Sequence, residues 1–69
     1  MISVEINGDR RDIPPGLNVR QLLTYLGIDS QRVAIELNRQ IVRKADWDHV
    51  NIELDAQIEV VMFVGGGSC

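Results

Sequence analysis

Cysteine is nearly absent from this 69-residue chain, and the single one, Cys69, is the final residue. No intramolecular disulfide can form, and no second thiol helps to build a zinc site, so the sequence points to a reducing, cytoplasmic setting. Long apolar runs are missing too. Nothing approaches the ~20 residues of a membrane span, and Met1-Ile2-Ser3-Val4-Glu5 has neither the basic n-region nor the apolar h-region of a secretory signal. A soluble, unsecreted protein with no membrane partner is expected. The sequence contains no G-x-x-x-x-G-K-[ST] or G-x-G-x-x-G motif, so no nucleotide site and no bound cofactor are expected of it. Lys and Arg do not occur after Lys44, whereas a phosphate-binding surface needs them clustered, which argues against nucleic acid as a partner.

What is present describes one small folded unit. The apolar fraction is 45% and the charged fraction 25%, both ordinary for globular proteins. A chain this short buries only ~60% of the surface it exposes when unfolded, so its core must be compact. The net charge of -3 is unevenly placed. Seven basic and five acidic side chains up to Ala45 give +2, while Asp46, Asp48, Glu53, Asp55 and Glu59 make the remainder -5. That acidic half is either a solvated surface or a docking face for a basic partner.

The residue pattern places the elements. Ile2, Val4 and Ile6 alternate with Ser3, Glu5 and Asn7, the period of a half-buried strand. Asn7-Gly8 favours the positive φ angles of a type I′ hairpin turn, and a second strand is predicted through about Arg11-Ile13. Pro14-Pro15-Gly16 ends that ladder, because neither proline donates a main-chain hydrogen bond. A helix then starts at Asn18 as N-cap with Gln21 as capping-box partner, and Val19, Leu22, Leu23 and Leu26 mark its apolar face. Gly27 suits the left-handed position beyond its end, with Ile28 placed against Leu23.

Val33, Ile35 and Leu37 predict a third strand, Asn38-Arg39-Gln40 a turn, and Ile41-Val42 a short fourth strand. Ala45 to Val50 reads as an irregular turn before Ile52 and Leu54. The last strand, Ile58 to Val64, is apolar on both sides near its end, as expected of a strand central in its sheet or facing a partner. One helix covers one face of a sheet. Returning the last strand beside and parallel to the first gives an α+β fold of the β-grasp, ubiquitin-like kind: a mixed sheet of four to five strands on one helix. A simpler α+β meander is the alternative. Residues 1–64 are expected to form the domain and 65–69 a flexible, Gly-rich C-terminal tail.

Gly65-Gly66-Gly67 follows the last strand directly. Glycines without side chains make a ribbon thin enough for a narrow channel, and three of them reach roughly 10 Å at 3.3 to 3.6 Å each. The run Ile58-Glu59-Val60-Val61-Met62-Phe63-Val64-Gly65-Gly66-Gly67 resembles the ending of the ThiS family of sulfur carriers from thiamine biosynthesis. Ile6-Asn7-Gly8 resembles that family's opening hairpin, Val33-Ala34-Ile35-Glu36-Leu37-Asn38 its central strand, and Ile41-Val42 with Trp47 the stretch that follows. The glycine-terminated strand is the part that bears on mechanism; the rest identifies the scaffold.

The resemblance implies a protein cosubstrate rather than an enzyme. An E1-like adenylyltransferase of the ThiF type uses ATP to adenylate the terminal glycine, a sulfur-donating enzyme supplies sulfur to give a thiocarboxylate, and a thiazole synthase of the ThiG type accepts it. By the same resemblance Gly67, with Gly66 beside it, is the reacting residue. The sequence departs from the pattern by continuing into Ser68-Cys69, which implies removal of that dipeptide by a processing protease. Three other readings stay open: a carrier for molybdopterin synthesis, a carrier for cysteine or a similar sulfur metabolite, and an unprocessed ubiquitin-like binding or modifier protein.

Several side chains are weighed beside the tail. On the last strand, Ile58, Val60, Met62 and Val64 are expected to face the helix, leaving Val61 and Phe63 on the open side. Val61 and Phe63 would form there an apolar patch that guides the glycines into a partner, with Val64 and Gly65 at the root of the tail as further partner-binding residues. Cys69 as a persulfide carrier is the rival chemistry, but no cation or helix end nearby in the sequence would lower its thiol pKa from ~8.5. His49 lies among Asp46, Asp48 and Glu53 and reads as part of a surface turn rather than a metal site. Trp47 reads as a lid on the small core.

Overall fold

The computed structural model describes residues 1–63, so Val64 and the tail expected at 65–69 lie outside the described residues. Strand β1 (Ile2–Ile6) pairs antiparallel with β2 (Asp9–Ile13) across Asn7 (φ 51) and Gly8 (φ 86), the paired positive angles of a type I′ turn. Asp9 therefore stands opposite Ile6, and β2 begins two residues earlier than the apolar pattern predicts. Helix α1 (Val19–Leu26) opens on the expected capping box: Asn18 Oδ1 accepts the Gln21 N–H at 2.8 Å, and Gln21 Oε1 accepts the Asn18 N–H at 3.0 Å. It closes on Gly27 (φ 73), where the Ile28 N–H donates to Leu23 C=O at 2.9 Å and the Gly27 N–H to Thr24 C=O at 3.1 Å, a Schellman motif.

Strand β3 (Val33–Leu37) and strand β4 (Gln40–Val42) form the second hairpin. Its turn is the two residues Asn38 (φ 51) and Arg39 (φ 69), again of type I′, so Gln40 belongs to β4 and not to the turn. The stretch read as an irregular turn is a 3₁₀ helix over Lys44–His49, and a shorter 3₁₀ turn, Ser30–Arg32, leads into β3. Beyond the longer one, Val50 C=O accepts the Val19 N–H at 3.0 Å and Leu17 C=O accepts the Ile52 N–H at 2.8 Å, which ties this segment to the start of α1.

Strand β5 (Gln57–Met62) completes one sheet in the order β2-β1-β5-β3-β4, parallel to β1 and antiparallel to β3. This is the β-grasp arrangement with five strands, and the meander is excluded by the central, parallel β5. The core between sheet and α1 is made by Val4, Ile35 and Ile58 from the sheet, Val19, Leu22 and Leu23 from the helix, and Trp47 from the 3₁₀ segment. Each fully buried aliphatic side chain contributes about 1.5 to 3 kcal/mol. Trp47 is 1% exposed, so it is an integral core residue as well as a lid, and its Nε1–H donates to Val42 C=O at 3.0 Å. Among the described residues no polar side chain is buried, and no helix is long and apolar enough to cross a membrane.

Candidate functional site

The place where β5 runs out is where the sequence puts the chemistry. β5 is held on both sides at its start. The Glu5 N–H donates to Ala56 C=O at 2.9 Å, and Asn38 grips Gln57 twice: its N–H donates to Gln57 C=O at 2.7 Å and its Oδ1 accepts the Gln57 N–H at 3.0 Å. At the other end the two sides differ. β1 stops at Ile6, opposite Ile58, whereas β3 accompanies β5 to the Val33–Met62 pair and Arg32 C=O accepts the Phe63 N–H at 2.8 Å. On the β1 side the Asn7 side chain takes over, with Oδ1 accepting the Val60 N–H at 2.8 Å.

This asymmetry corrects one expectation. Strand alternation places Met62 on the helix side with Ile58 and Val60; those two are buried, at 1% and 8% exposed, but Met62 is 58% exposed. Its register does pair it with the buried Val33. Because β1 has already ended, however, no strand flanks it on that side and the core layer stops short of it. Val61 (49% exposed) and Phe63 (56%) are open to solvent, as the strand parity predicts, so Val61, Met62 and Phe63 together form an exposed apolar end. Val61 stands opposite Ala34 on the sheet face that α1 leaves uncovered. Val64, Gly65, Gly66 and Gly67, the other predicted site residues, lie outside the described residues, as do Ser68 and Cys69.

The middle of the open face is polar, with exposed Ile41 opposite Glu36 towards the β4 edge. Glu36 is directly opposite Glu59, and Glu5 is opposite both Gln57 and Arg10. The two ion pairs among the described residues tie elements together: Arg20 Nε to Asp48 at 2.7 Å joins α1 to the 3₁₀ helix, and Arg10 to Asp55 at 3.0 Å joins the first hairpin to the loop before β5. Exposed pairs of this kind contribute little to stability. His49 is exposed at the end of the 3₁₀ helix, beside a shallow groove shared with Asp46, Ile41 and Val42. That groove includes none of Val61 to Phe63. Among the described residues no three His, Cys, Asp or Glu side chains converge as metal ligands would.

Asn7, near the tail end of β5, is the site residue that sequence reasoning missed; Asn38 makes the equivalent grip at the opposite end of the strand, away from the site. Their turn role is visible in the sequence, but the strand each side chain grips lies 53 and 19 residues away. Both are asparagines at the first turn position of a two-residue hairpin, and that shared placement is the signal that could have singled them out.

The sequence model of the ThiS family matches residues 4–67. A thiazole synthase of Paramagnetospirillum magneticum is 41% identical over 63 residues, which is 91% of this chain and 19% of that protein. The thiazole synthase of Magnetococcus marinus is 35% identical over 66 residues, 96% of this chain and 20% of its own length. The chain thus spans about a fifth of the thiazole synthases it matches. The crystal structure of a thiamine biosynthesis protein (ThiS) from Geobacter metallireducens superposes with a TM-score of 0.84 at 26% identity, covering 96% of this chain and all of that one. With nearly its whole length matched, from the first hairpin through the third tail glycine, the chain belongs to the ThiS family of thiamine-related sulfur carriers.

Proposed function

We propose that this chain carries sulfur for the thiazole ring of thiamine as a thiocarboxylate on Gly67. The observation that carries the reading is the extent of the family match, which spans residues 4–67 and so runs through Gly67 but not into Ser68 and Cys69. In this reading a processing protease hydrolyses the Gly67–Ser68 bond and frees an α-carboxylate. Such a carboxylate, with an ordinary pKa of about 3.3 to 3.7, is ionised at neutral pH and is nucleophilic but not electrophilic. A carboxylate oxygen attacks the α-phosphorus of ATP and pyrophosphate leaves. The acyl-adenylate so formed is an electrophile. Sulfur at the oxidation level of sulfide, delivered by a sulfur-donating enzyme, then attacks the carbonyl carbon, AMP leaves, and a thiocarboxylate remains.

The chain supplies the reacting atom and its partners supply catalysis. ATP is used by a ThiF-type adenylyltransferase, with no cofactor held by the carrier itself. Two of the relatives being thiazole synthases supports a ThiG-type thiazole synthase as the acceptor. The exposed Val61, Met62 and Phe63 support docking through the end of β5, since an apolar cluster at the root of the tail is positioned to bury against a partner as the glycines enter its site. Incubation of the protein, both full-length and ending at Gly67, with ATP and a ThiF-type enzyme tests the reading. An acyl-AMP at Gly67, detected by intact mass, is the expected product of the Gly67-ended protein, while the full-length chain gains none at Gly67; absence of the adduct from the Gly67-ended protein in the presence of an active enzyme refutes the proposal.

A further inference from the structure

The parallel pairing of β1 with β5 follows a regular series until the chain turns away. The Glu5 N–H donates to Ala56 C=O at 2.9 Å and the Asn7 N–H to Ile58 C=O at 2.9 Å. Continued by the evenly spaced, slanted bonds of a parallel ladder, the series would next join the Val60 N–H to the main-chain carbonyl of residue 7. Instead the Asn7 side chain makes that bond. Its Oδ1 accepts the Val60 N–H at 2.8 Å, and its Nδ2 donates to Val60 C=O at 3.4 Å. The main chain of Asn7 sits at φ 51 in the hairpin turn, so a carboxamide stands in for the strand residue that β1 no longer provides.

The hairpin alone does not require this contact. A type I′ turn needs positive φ at its first position, which glycine and aspartate also supply. What the carboxamide adds is two more residues of β5, Glu59 and Val60, held on the β1 side beyond the Ile6–Ile58 pair. Past Val60 the strand is held from the β3 side alone, through Met62 and Phe63.

We propose that Asn7 is a positioning residue of the carrier: its carboxamide holds the β1 side of β5 as far as Val60, beyond which β3 alone holds the strand, and so steadies the strand end from which the C-terminal glycines reach a partner's site. Its functional consequence rests on the Gly67 chemistry proposed above; its structural consequence does not. Ordering a backbone residue costs conformational entropy, so releasing even one residue that docking must order again lowers activation on the order of tenfold.

The test compares Asn7→Gly, Asn7→Asp and Asn38→Gly in the full chain and in the chain ending at Gly67. Asn7→Gly keeps a turn-compatible residue and loses the carboxamide. Asn7→Asp retains an oxygen for the Val60 N–H. Asn38→Gly removes the equivalent grip at Gln57, the far end of β5, and serves as the control for general destabilisation. Amide hydrogen exchange at Val60 should speed up about tenfold in Asn7→Gly relative to Ile35 in the core, and kcat/KM for adenylation by a ThiF-type enzyme should fall by a similar factor. Asn7→Asp should recover most of both, and Asn38→Gly should stay within about twofold of the unaltered protein in kcat/KM. Unchanged Val60 exchange in Asn7→Gly, or equal loss of adenylation in Asn7→Gly and Asn38→Gly, overturns the proposal. If the unaltered protein ending at Gly67 forms no adenylate, the Gly67 reading fails, and Val60 exchange alone decides the role of Asn7.

Discussion

The indole Nε1–H of Trp47 donates to the main-chain carbonyl of Val42 at 3.0 Å, so one side chain both fills the core and secures the end of β4. Arg20 and Lys44 lie 5.5 and 5.7 Å from the centre of its ring, at the distance of cation–π contacts. Replacing Trp47 by Phe keeps a ring but leaves the Val42 carbonyl without its donor and part of the site unfilled. A loss of about 2 to 3 kcal/mol is expected, read by urea denaturation followed by far-UV circular dichroism. Trp47→Ala, at about 3 to 5 kcal/mol, approaches the whole stability of a domain this size and should leave little folded protein.

The capping box at the start of α1 has a separable value. Asn18→Ala removes the acceptor of the Gln21 N–H, and a loss of about 1 kcal/mol is expected, with Tm lowered by roughly 4 to 8 °C. A thermal melt within a degree of the unaltered protein would show that tertiary contacts, not the cap, fix the helix start.

Arg39 occupies the second position of the β3–β4 turn at φ 69, where a side chain is strained and glycine is not. The left-handed region costs about 1 kcal/mol for such a residue. Arg39→Gly should therefore raise stability by about 1 kcal/mol in chemical denaturation, less what the glycine adds to unfolded-state entropy. Lower stability in the variant would mean that the Arg39 side chain makes a contact worth more than the strain.

Val61 and Phe63 are exposed at the end of β5, so charges there are compatible with the fold. Val61→Asp and Phe63→Asp should change stability by no more than about 0.5 kcal/mol while sharply reducing adenylation by a ThiF-type enzyme. Adenylation at the unaltered rate by both variants would remove the apolar strand end from the docking surface.

What could be read from the sequence was what neighbouring residues decide. Asn7-Gly8, the Asn18/Gln21 pair and Gly27-Ile28 each carry a turn or cap within a few positions, and each is present in the structure with the expected bonds. The parallel, central β5 was also legible, because an apolar last strand with one covering helix leaves few places for it. The exposure of Met62 was not. It depends on β1 ending at Ile6, a relation between segments more than fifty residues apart that strand alternation does not encode. The 3₁₀ helix over Lys44–His49 escaped for the opposite reason, since two mostly polar turns around a single buried Trp47 leave no periodicity to detect. The Asn7 grip on Val60 needs both the turn and the partner strand in place before it exists.

Intact-mass measurement of this protein recovered from its own cells bears most directly on the sulfur-carrier reading. A chain ending at Gly67, with part of the population heavier by the exchange of one oxygen for sulfur, is the expected result. A population that retains Ser68 and Cys69 throughout, with no sulfur gained at the C-terminal carbonyl, would contradict it.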